Sequence, residues 1–427
     1  MNDPLKERSK PEAAGTKQVP ARPGYLQAAA PPELPRTSKP RASKKPRATK
    51  SFFDEAMPHS IVKTEIVSKY FPPWARIMKP RAHGGKLAYM DLYAGKGIYA
   101  DGTDSTPIRI MKAVLADEGL RQMVVTFFAD ADPECVAALQ ANISALPDIE
   151  TLKYRPQIAL GAAHEHGIAE AFETRDVVPT FMFLDPFGYH GLSTKLMRSI
   201  LKNFGCEIAF FFKYTRIRAA LRNKLVREEM DAIFGHERVE KLKNLLPSIG
   251  TQDEKERTIL TGLEDALGEI GGKYVLTFRF RNEFGRATHH LVFVTKNELA
   301  HDIMKEIMAA ASTGKRQGVA TFEFTRNTPH DAAVMLPLFD DAEHPLDRLK
   351  EDLLERYRGR RIKIEEIYSD HNYKTPYTKK NYSEALRQLH YEDNKVSAER
   401  GPLSPPLNGK SRWPMPFENT YITFDKA

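Results

Sequence analysis

Strand-sized apolar runs that alternate with helical stretches constrain the fold of this chain more than any other feature. The runs fall at 86–93, 124–129, 180–184 and 207–212. Between them the apolar spacing is helical, with Ile108, Ile110, Met111, Val114 and Leu115 in 107–116, Val136, Leu139 and Ile143 after Asp132-Pro133, and a further helix over 192–201. Runs that are apolar at successive positions are covered on both faces, and alternation with helices of this length predicts βαβ units around a parallel sheet. A weaker strand is expected within 152–163. The segments 273–280 and 287–294 flank Arg281-Asn282-Glu283-Phe284-Gly285-Arg286 and predict one late hairpin. The fold class is therefore α/β, a Rossmann-like sheet, mostly parallel and closed by a hairpin, which is the layout of class I methyltransferases. A helical spacing over 59–78 is interrupted by Pro72-Pro73, and 216–246 and 253–268 read as charged helical segments.

Charge divides the chain. Of 64 Lys+Arg and 56 Asp+Glu, residues 1–50 hold 12 and 4, so the net +8 sits wholly in that segment. It also carries 9 of the 29 prolines and reads as a disordered basic arm. The α/β domain is expected over 51–335 and a separate small domain over 341–427. In the latter, helices over 345–357, 364–371 and 379–391 precede two strands around the Gly/Pro/Ser-rich 401–416, the order of a winged helix-turn-helix. Lys379 and Lys380 open its third helix as nucleic-acid-binding candidates, although 341–427 holds 16 basic and 15 acidic residues, so any binding face is local. Protein contact is the other use of such a module.

Two cysteines, Cys135 and Cys206, exclude a disulfide scaffold and a thiolate zinc cluster and point to a reducing compartment. With no apolar run of transmembrane length and no signal-peptide core, the expectation is a soluble cytoplasmic protein without membrane contact.

Chemistry concentrates at strand ends. Asp91-x-Tyr93-x-Gly95-x-Gly97 follows the first strand, and Asp130 ends the second. Such a Gly-rich turn admits a ligand to the backbone, and an acidic residue on the next strand meets ribose hydroxyls. The spacing favours S-adenosylmethionine (SAM) over a nicotinamide, whose sites show Gly-x-Gly-x-x-Gly directly after the strand. Asp91, Tyr93, Gly95, Gly97 and Asp130 are the cofactor-binding candidates, with Asp91 orienting the turn or the methionine amine. Asp185-Pro186-Phe187-Gly188 ends the third strand and resembles the Asp/Asn-Pro-Pro-aromatic element of methyltransferases acting on planar amino groups, and more closely the Asp-Pro-Phe-Gly of tRNA guanine-amino methyltransferases. On that likeness Asp185 and the Pro186 carbonyl accept from the target nitrogen and Phe187 stacks on the base. Glycine at 188 and a single proline depart from the first pattern.

Lys213, Arg216 and Arg218 follow the fourth run as a candidate phosphate-facing stripe, with a solvated helix face as the alternative. His164-x-His166 lacks further ligands nearby, so no metal is expected. His289 and His290 point to opposite faces of a strand and read as structural. No nucleotide-phosphate P-loop, zincin or Gly-x-Ser-x-Gly motif is present.

Taken together, His59-Ser60-x-x-Lys63-Thr64-Glu65-Ile66-Val67-x-Lys69-Tyr70-Phe71, the 89–107 segment around Asp91-Leu92-Tyr93-Ala94-Gly95-Lys96-Gly97, Phe183-Leu184-Asp185-Pro186-Phe187-Gly188-Tyr189 and Arg279-x-Arg281-Asn282-Glu283-x-Gly285-Arg286 resemble the three-Cys-motif partner protein (TcmP) family over 57–427. Lys96 stands where that family's turn usually has proline. The resemblance implies a bacterial protein, a methyltransferase-like fold with a C-terminal winged helix, and a partner protein that carries the cysteines. The expectation is a SAM-dependent methyltransferase acting on an amino group of a nucleic-acid base. The alternative is an inactive methyltransferase-like accessory that binds nucleic acid or a partner protein.

Overall fold

The computed structural model describes residues 57–162, 166–186, 188–325, 344–401 and 417–425. The basic arm at 1–50 and the 335/341 domain boundary lie outside them.

The chain opens with helix α1 (Pro58–Met78), which runs unbroken through Pro72 and Pro73 and so corrects the expected interruption. Two prolines in a helix interior cost about 3 kcal/mol each or more. The buried stripe Ile66, Val67, Tyr70, Phe71, Trp74 and Ala75 offsets that by packing the helix along the sheet. Then come β1 (Leu87–Asp91), α2 (Thr106–Leu115), α3 (Glu118–Arg121), β2 (Val124–Asp130), α4 (Pro133–Ser144), β3 (Gln157–Leu160), α5 (Ile168–Thr174), β4 (Thr180–Leu184), α6 (Thr194–Leu201) and β5 (Glu207–Phe212). Every residue of β4 and β5 is buried, as unalternated apolar runs require.

The segment expected as one charged helical stretch is three helices, α7 (Tyr214–Ala220), α8 (Arg227–Phe234) and α9 (His236–Leu245). Asn223, whose side chain accepts from the Leu225 N–H, and Gly235 mark the breaks. Helix α10 (Gln252–Glu269) begins with a reciprocal capping box between Thr251 and Glu254. The hairpin β6 (Tyr274–Arg281) and β7 (Ala287–Thr295) leads into α11 (Glu298–Ala311), the two-residue strands β8 (Lys315–Arg316) and β9 (Val319–Ala320), and β10 (Glu323–Thr325).

The main sheet has the order β10-β6-β7-β5-β4-β1-β2-β3, with β7 antiparallel to both β5 and β6 and the other neighbours parallel. From β3 to β6 this is the class I methyltransferase arrangement. Helices α1, α2, α4 and α11 cover one face, and α5, α6, α8, α9 and α10 the other. On that second face a buried charge network joins the elements. Arg279 Nε donates to Glu256 Oε1 at 2.6 Å, Arg281 Nε to Glu323 Oε2 at 2.8 Å, and His290 Nε2 lies 2.8 Å from Glu256 Oε1.

The C-terminal module is α12 (Pro345–Arg356), β11 (Arg361–Lys363), α13 (Ile364–His371), α14 (Lys379–Tyr391), β12 (Val396–Arg400) and β13 (Thr420–Phe424), with a small sheet in the order β11-β13-β12. This is a winged helix with its own core around Leu349, Leu353, Ile367, Tyr382, Leu386 and Ile422. It rests on α11, whose opposite side packs on α1. There Lys305 Nζ donates to the Asn372 carbonyl at 2.7 Å, Tyr368 OH to Asp302 at 3.1 Å and the Lys379 backbone N–H to Glu306 at 3.1 Å. Among the described residues no helix is long and apolar enough to cross a membrane.

Candidate functional site

Because the strands from β3 to β5 run parallel, their carboxyl ends share one edge of the sheet, and the loops that leave them face one another there. Asp91 ends β1, Asp130 ends β2, Asp185 follows β4 and Lys213 follows β5. All four line a single cavity of about 360 Å³, joined by His59, Lys63, Tyr93, Gly95, Lys96, Gly97, Tyr99, Ser105, Phe211, Arg216 and His289. The Gly-rich turn and Asp185, separated by ninety residues of sequence, therefore open onto the same space.

The turn is built from its own hydrogen bonds. Asp130 Oδ2 accepts from the Gly95 N–H at 2.9 Å while Oδ1 accepts from Asp132, and Asp91 Oδ1 accepts from the Tyr93 N–H at 3.1 Å. Gly97 has φ 85, which strains any other residue, and a Cβ there would come within 2.8 Å of Leu139 Cδ1 and displace that side chain of α4. Asn142 on α4 donates to the Lys96 carbonyl at 2.8 Å. The buried Ser105 hydroxyl, at the cavity wall, makes no hydrogen bond among the described residues. Burial pushes the Asp91 carboxyl up to about 7; the Tyr93 amide opposes this and the Asp185 charge adds to it.

At the other end, Lys63 from α1 forms an ion pair with Asp185 Oδ2. The lysine side chain is 8% exposed, and its Nζ lies 5.0 Å from the Phe211 ring centre and 5.9 Å from that of Phe183. Burial alone would lower its pKa, but Asp185, Tyr99 and Asp91 hold it above the ordinary value, so the ammonium stays charged. His59 stacks on His289 (ring centres 5.5 Å) and His289 on Phe211 (4.9 Å). Burial, with Lys63 next, lowers His59 to about 4, and burial, with His59 next, lowers His289 to about 3, so both rings are neutral near pH 7.

Other sequence candidates fall elsewhere. Pro186 does not line the cavity, and its carbonyl already accepts from the Gly188 N–H at 2.8 Å, leaving one lone pair. Phe187 and His164 lie outside the described residues; His166 packs edge-on against Phe127. Lys213 and Arg216 line the cavity, whereas Arg218 turns away to Gln252 and lies over Tyr214. Lys379 has its Nζ 5.4 Å from the Tyr368 ring centre, and Lys380 is exposed. His290 points away from the cavity into the Glu256 network, as opposite-facing neighbours on a strand must. His289, read as structural from sequence, instead forms part of the wall, and His59 and Lys63 carried no individual role in that reading.

Residues 322–397 match the family described as the GMT-like wHTH domain. The match begins upstream of the boundary expected at 341 and takes in β10. No curated protein matches the chain. Among solved structures, a candidate S-adenosyl-L-methionine-dependent methyltransferase from Methanococcus maripaludis is 16% identical, with 60% of this chain and 98% of that one covered and a TM-score of 0.28. The methyltransferase domain of bacterial CtHen1-C is 12% identical over 55% of this chain and 100% of its own, TM-score 0.28. Magnesium protoporphyrin IX methyltransferase (ChlM) from Synechocystis PCC 6803 with bound SAM is 11% identical over 55% and 80%, TM-score 0.28.

Proposed function

We propose that this chain is a SAM-dependent methyltransferase of the TcmP type that modifies an amino group of a nucleic-acid base and works beside a three-Cys-motif partner protein. One observation carries the reading: the Gly95–Gly97 turn, Asp130 and Asp185 open onto one cavity. Three features fit the cofactor. Gly95 and Gly97 both hold positive φ and keep the turn bare of side chains, the Ser105 hydroxyl is buried without a partner among the described residues, and Asp130 keeps lone pairs beyond the two amides it accepts. Gly95 and Gly97 would let the backbone approach the cofactor, Asp130 would accept from its ribose hydroxyls, and Asp91 would take its ammonium. When bound, SAM supplies an electrophilic methyl group. Asp185 accepts an N–H of the target nitrogen through Oδ1, the oxygen Lys63 does not hold, and so turns the nitrogen lone pair toward that methyl. The proton shed by the nitrogen goes to the same oxygen. Phe187 is the ring the sequence offers for stacking on the base. Lys213, Arg216, Lys379 and Lys380 are the candidate phosphate contacts.

Calorimetric titration with SAM tests the reading. The wild-type chain binds, and Asp130→Ala weakens binding by about tenfold, the loss of one to two good hydrogen bonds. No heat and no protection against unfolding at millimolar SAM would leave the accessory reading instead.

Asp91 makes the affinity pH-dependent. Its carboxyl is raised to about 7, so the protonated form dominates at pH 6, and only the carboxylate pairs with an ammonium. Apparent SAM affinity therefore rises with pH and is about tenfold weaker at pH 6 than its plateau above pH 8. Titrations in two buffers of different ionisation enthalpy read the released proton. A flat affinity from pH 6 to 8 removes Asp91 from the ammonium contact.

A further inference from the structure

The space around Asp185 continues past Arg216. On the far side of that guanidinium is a second hollow of about 260 Å³, lined by Gly188, Tyr189, His190, Ala219, Ala220 and Asn223, with Arg216 common to both. Its floor is the same turn that carries Asp185. Gly188 has φ 116, and a Cβ there would lie 3.6 Å from Arg216 Nη1, so the guanidinium rests against bare backbone. Tyr93, from the Gly-rich turn, donates its hydroxyl to the His190 carbonyl at 2.9 Å and ties this floor to the first cavity.

The chemistry of the hollow is that of a single nucleotide. Tyr189 and His190 present rings with centres 4.8 Å apart, and Ala219 and Ala220 leave room above them. Arg216 is exposed and its guanidinium forms no hydrogen bond or ion pair among the described residues, in contrast to those of Arg218 and Arg227 on the following stretch, which are paired. An unpaired guanidinium between an aromatic hollow and a deep polar cavity is suited to a phosphodiester, and a ring pair to a base of any identity. Glu229 Oε1 lies 3.8 Å from His190 Nδ1, so the histidine faces a carboxylate and the anion belongs at Arg216.

We infer that this hollow receives the nucleotide next to the acceptor base, with Arg216 on the phosphate between them, so that the substrate is an unpaired stretch of polynucleotide and not a free nucleoside. The inference rests on the amino-acceptor reading of Asp185 for its register. Pairing must be open because a stacked, paired base cannot bring its amino group down to the strand ends.

The test uses the full chain and a fluorescently labelled single-stranded pentanucleotide pool, made as RNA and as DNA, read by anisotropy. Arg216→Gln weakens binding about tenfold and flattens the slope of log K against log salt by about 0.7, the share of one phosphate on a single strand. Tyr189→Ala weakens binding by about tenfold without changing that slope. Lys195→Gln, on α6 outside both hollows, leaves both quantities unaltered. In a transfer assay, Arg216→Gln raises the KM of the pentanucleotide at least fivefold more than that of a mononucleoside acceptor. Equal penalties on the two acceptors, an unchanged salt slope in Arg216→Gln, or no binding by the wild-type chain overturns the inference. Normal responses in the binding experiment with no transfer to any acceptor would instead strike down the amino-acceptor reading and leave the nucleotide subsite standing.

Discussion

Lys63→Met lowers stability by about 3 kcal/mol, and Lys63→Met/Asp185→Asn recovers most of that loss. The lysine side chain is 8% exposed and the aspartate 21%, so each is the main compensation for the other's desolvation. Removing one partner of a buried pair strands a charge and costs about 3–5 kcal/mol, and the partial exposure of Asp185 places this pair at the lower end. Replacing both by near-isosteric neutral groups strands nothing. Catalysis follows a different pattern. On the proposed reading, in which the aspartate serves the acceptor and the Gly-rich turn the cofactor, Asp185→Ala lowers the transfer rate by on the order of 10²–10⁴-fold while SAM affinity stays within a few-fold. The double neutral variant, though folded, remains inactive. Denaturant unfolding of the four species gives the coupling, and a transfer assay on the same preparations gives the rate. Additive stability losses would mean the pair does not couple, and a double variant with restored transfer would make the pair merely structural.

Arg279→Met has a comparable effect at a distance from the cavity. Arg279 is 1% exposed, donates from β6 to Glu256 on α10, and faces Glu323 on β10. Without it, the hydrogen-bond partner left to Glu256 among the described residues is His290, with the Arg281 charge acting from further off, so the closest charged donor is lost. The expected cost is about 3–5 kcal/mol in denaturant unfolding, with Arg279→Met/Glu256→Gln recovering a large part. A loss below about 1 kcal/mol would show that Arg281 and His290 satisfy both carboxylates unaided. The effect is structural, so SAM affinity measured well below the unfolding midpoint stays unchanged.

The parts of this fold that were legible in the sequence are those where burial is continuous. The runs at 180–184 and 207–212 coincide with β4 and β5, because strands covered on both faces show no alternation to blur their limits. Strand β3 was weak because it is the sheet edge, with Gln157 and Leu160 exposed and a burial pattern of neither period. Strand β11 has three residues, one buried, and left no pattern at all. Pro72-Pro73 misled because local backbone preference was outweighed by the buried stripe of α1. The acidic members of the site were readable because they sit in turns at strand ends. Lys63 was not, since a lone lysine at helical spacing reads as solvated until the partner beside it is known. The alternation at His289 and His290 was read correctly, yet period alone does not reveal which face meets a cavity.

Helix α11 is a shared wall. One side carries Met304 and Met308 into the core against α1, the helix that seats His59 and Lys63; the other supplies Asp302, Lys305 and Glu306 to the winged helix. Burial lowers the Lys305 ammonium to about 7, a condition that holds only while Asn372 and its neighbours cover it. Removing the winged helix would turn that side of α11 into solvent-facing surface and leave Glu306 without the α14 N–H it accepts from. Helix α11 thus stands between the winged helix and the helix that positions Lys63, and the 315–320 segment adds a second seat, where the Leu346 N–H donates to Gln317 and Asn381 donates to the Gly318 carbonyl.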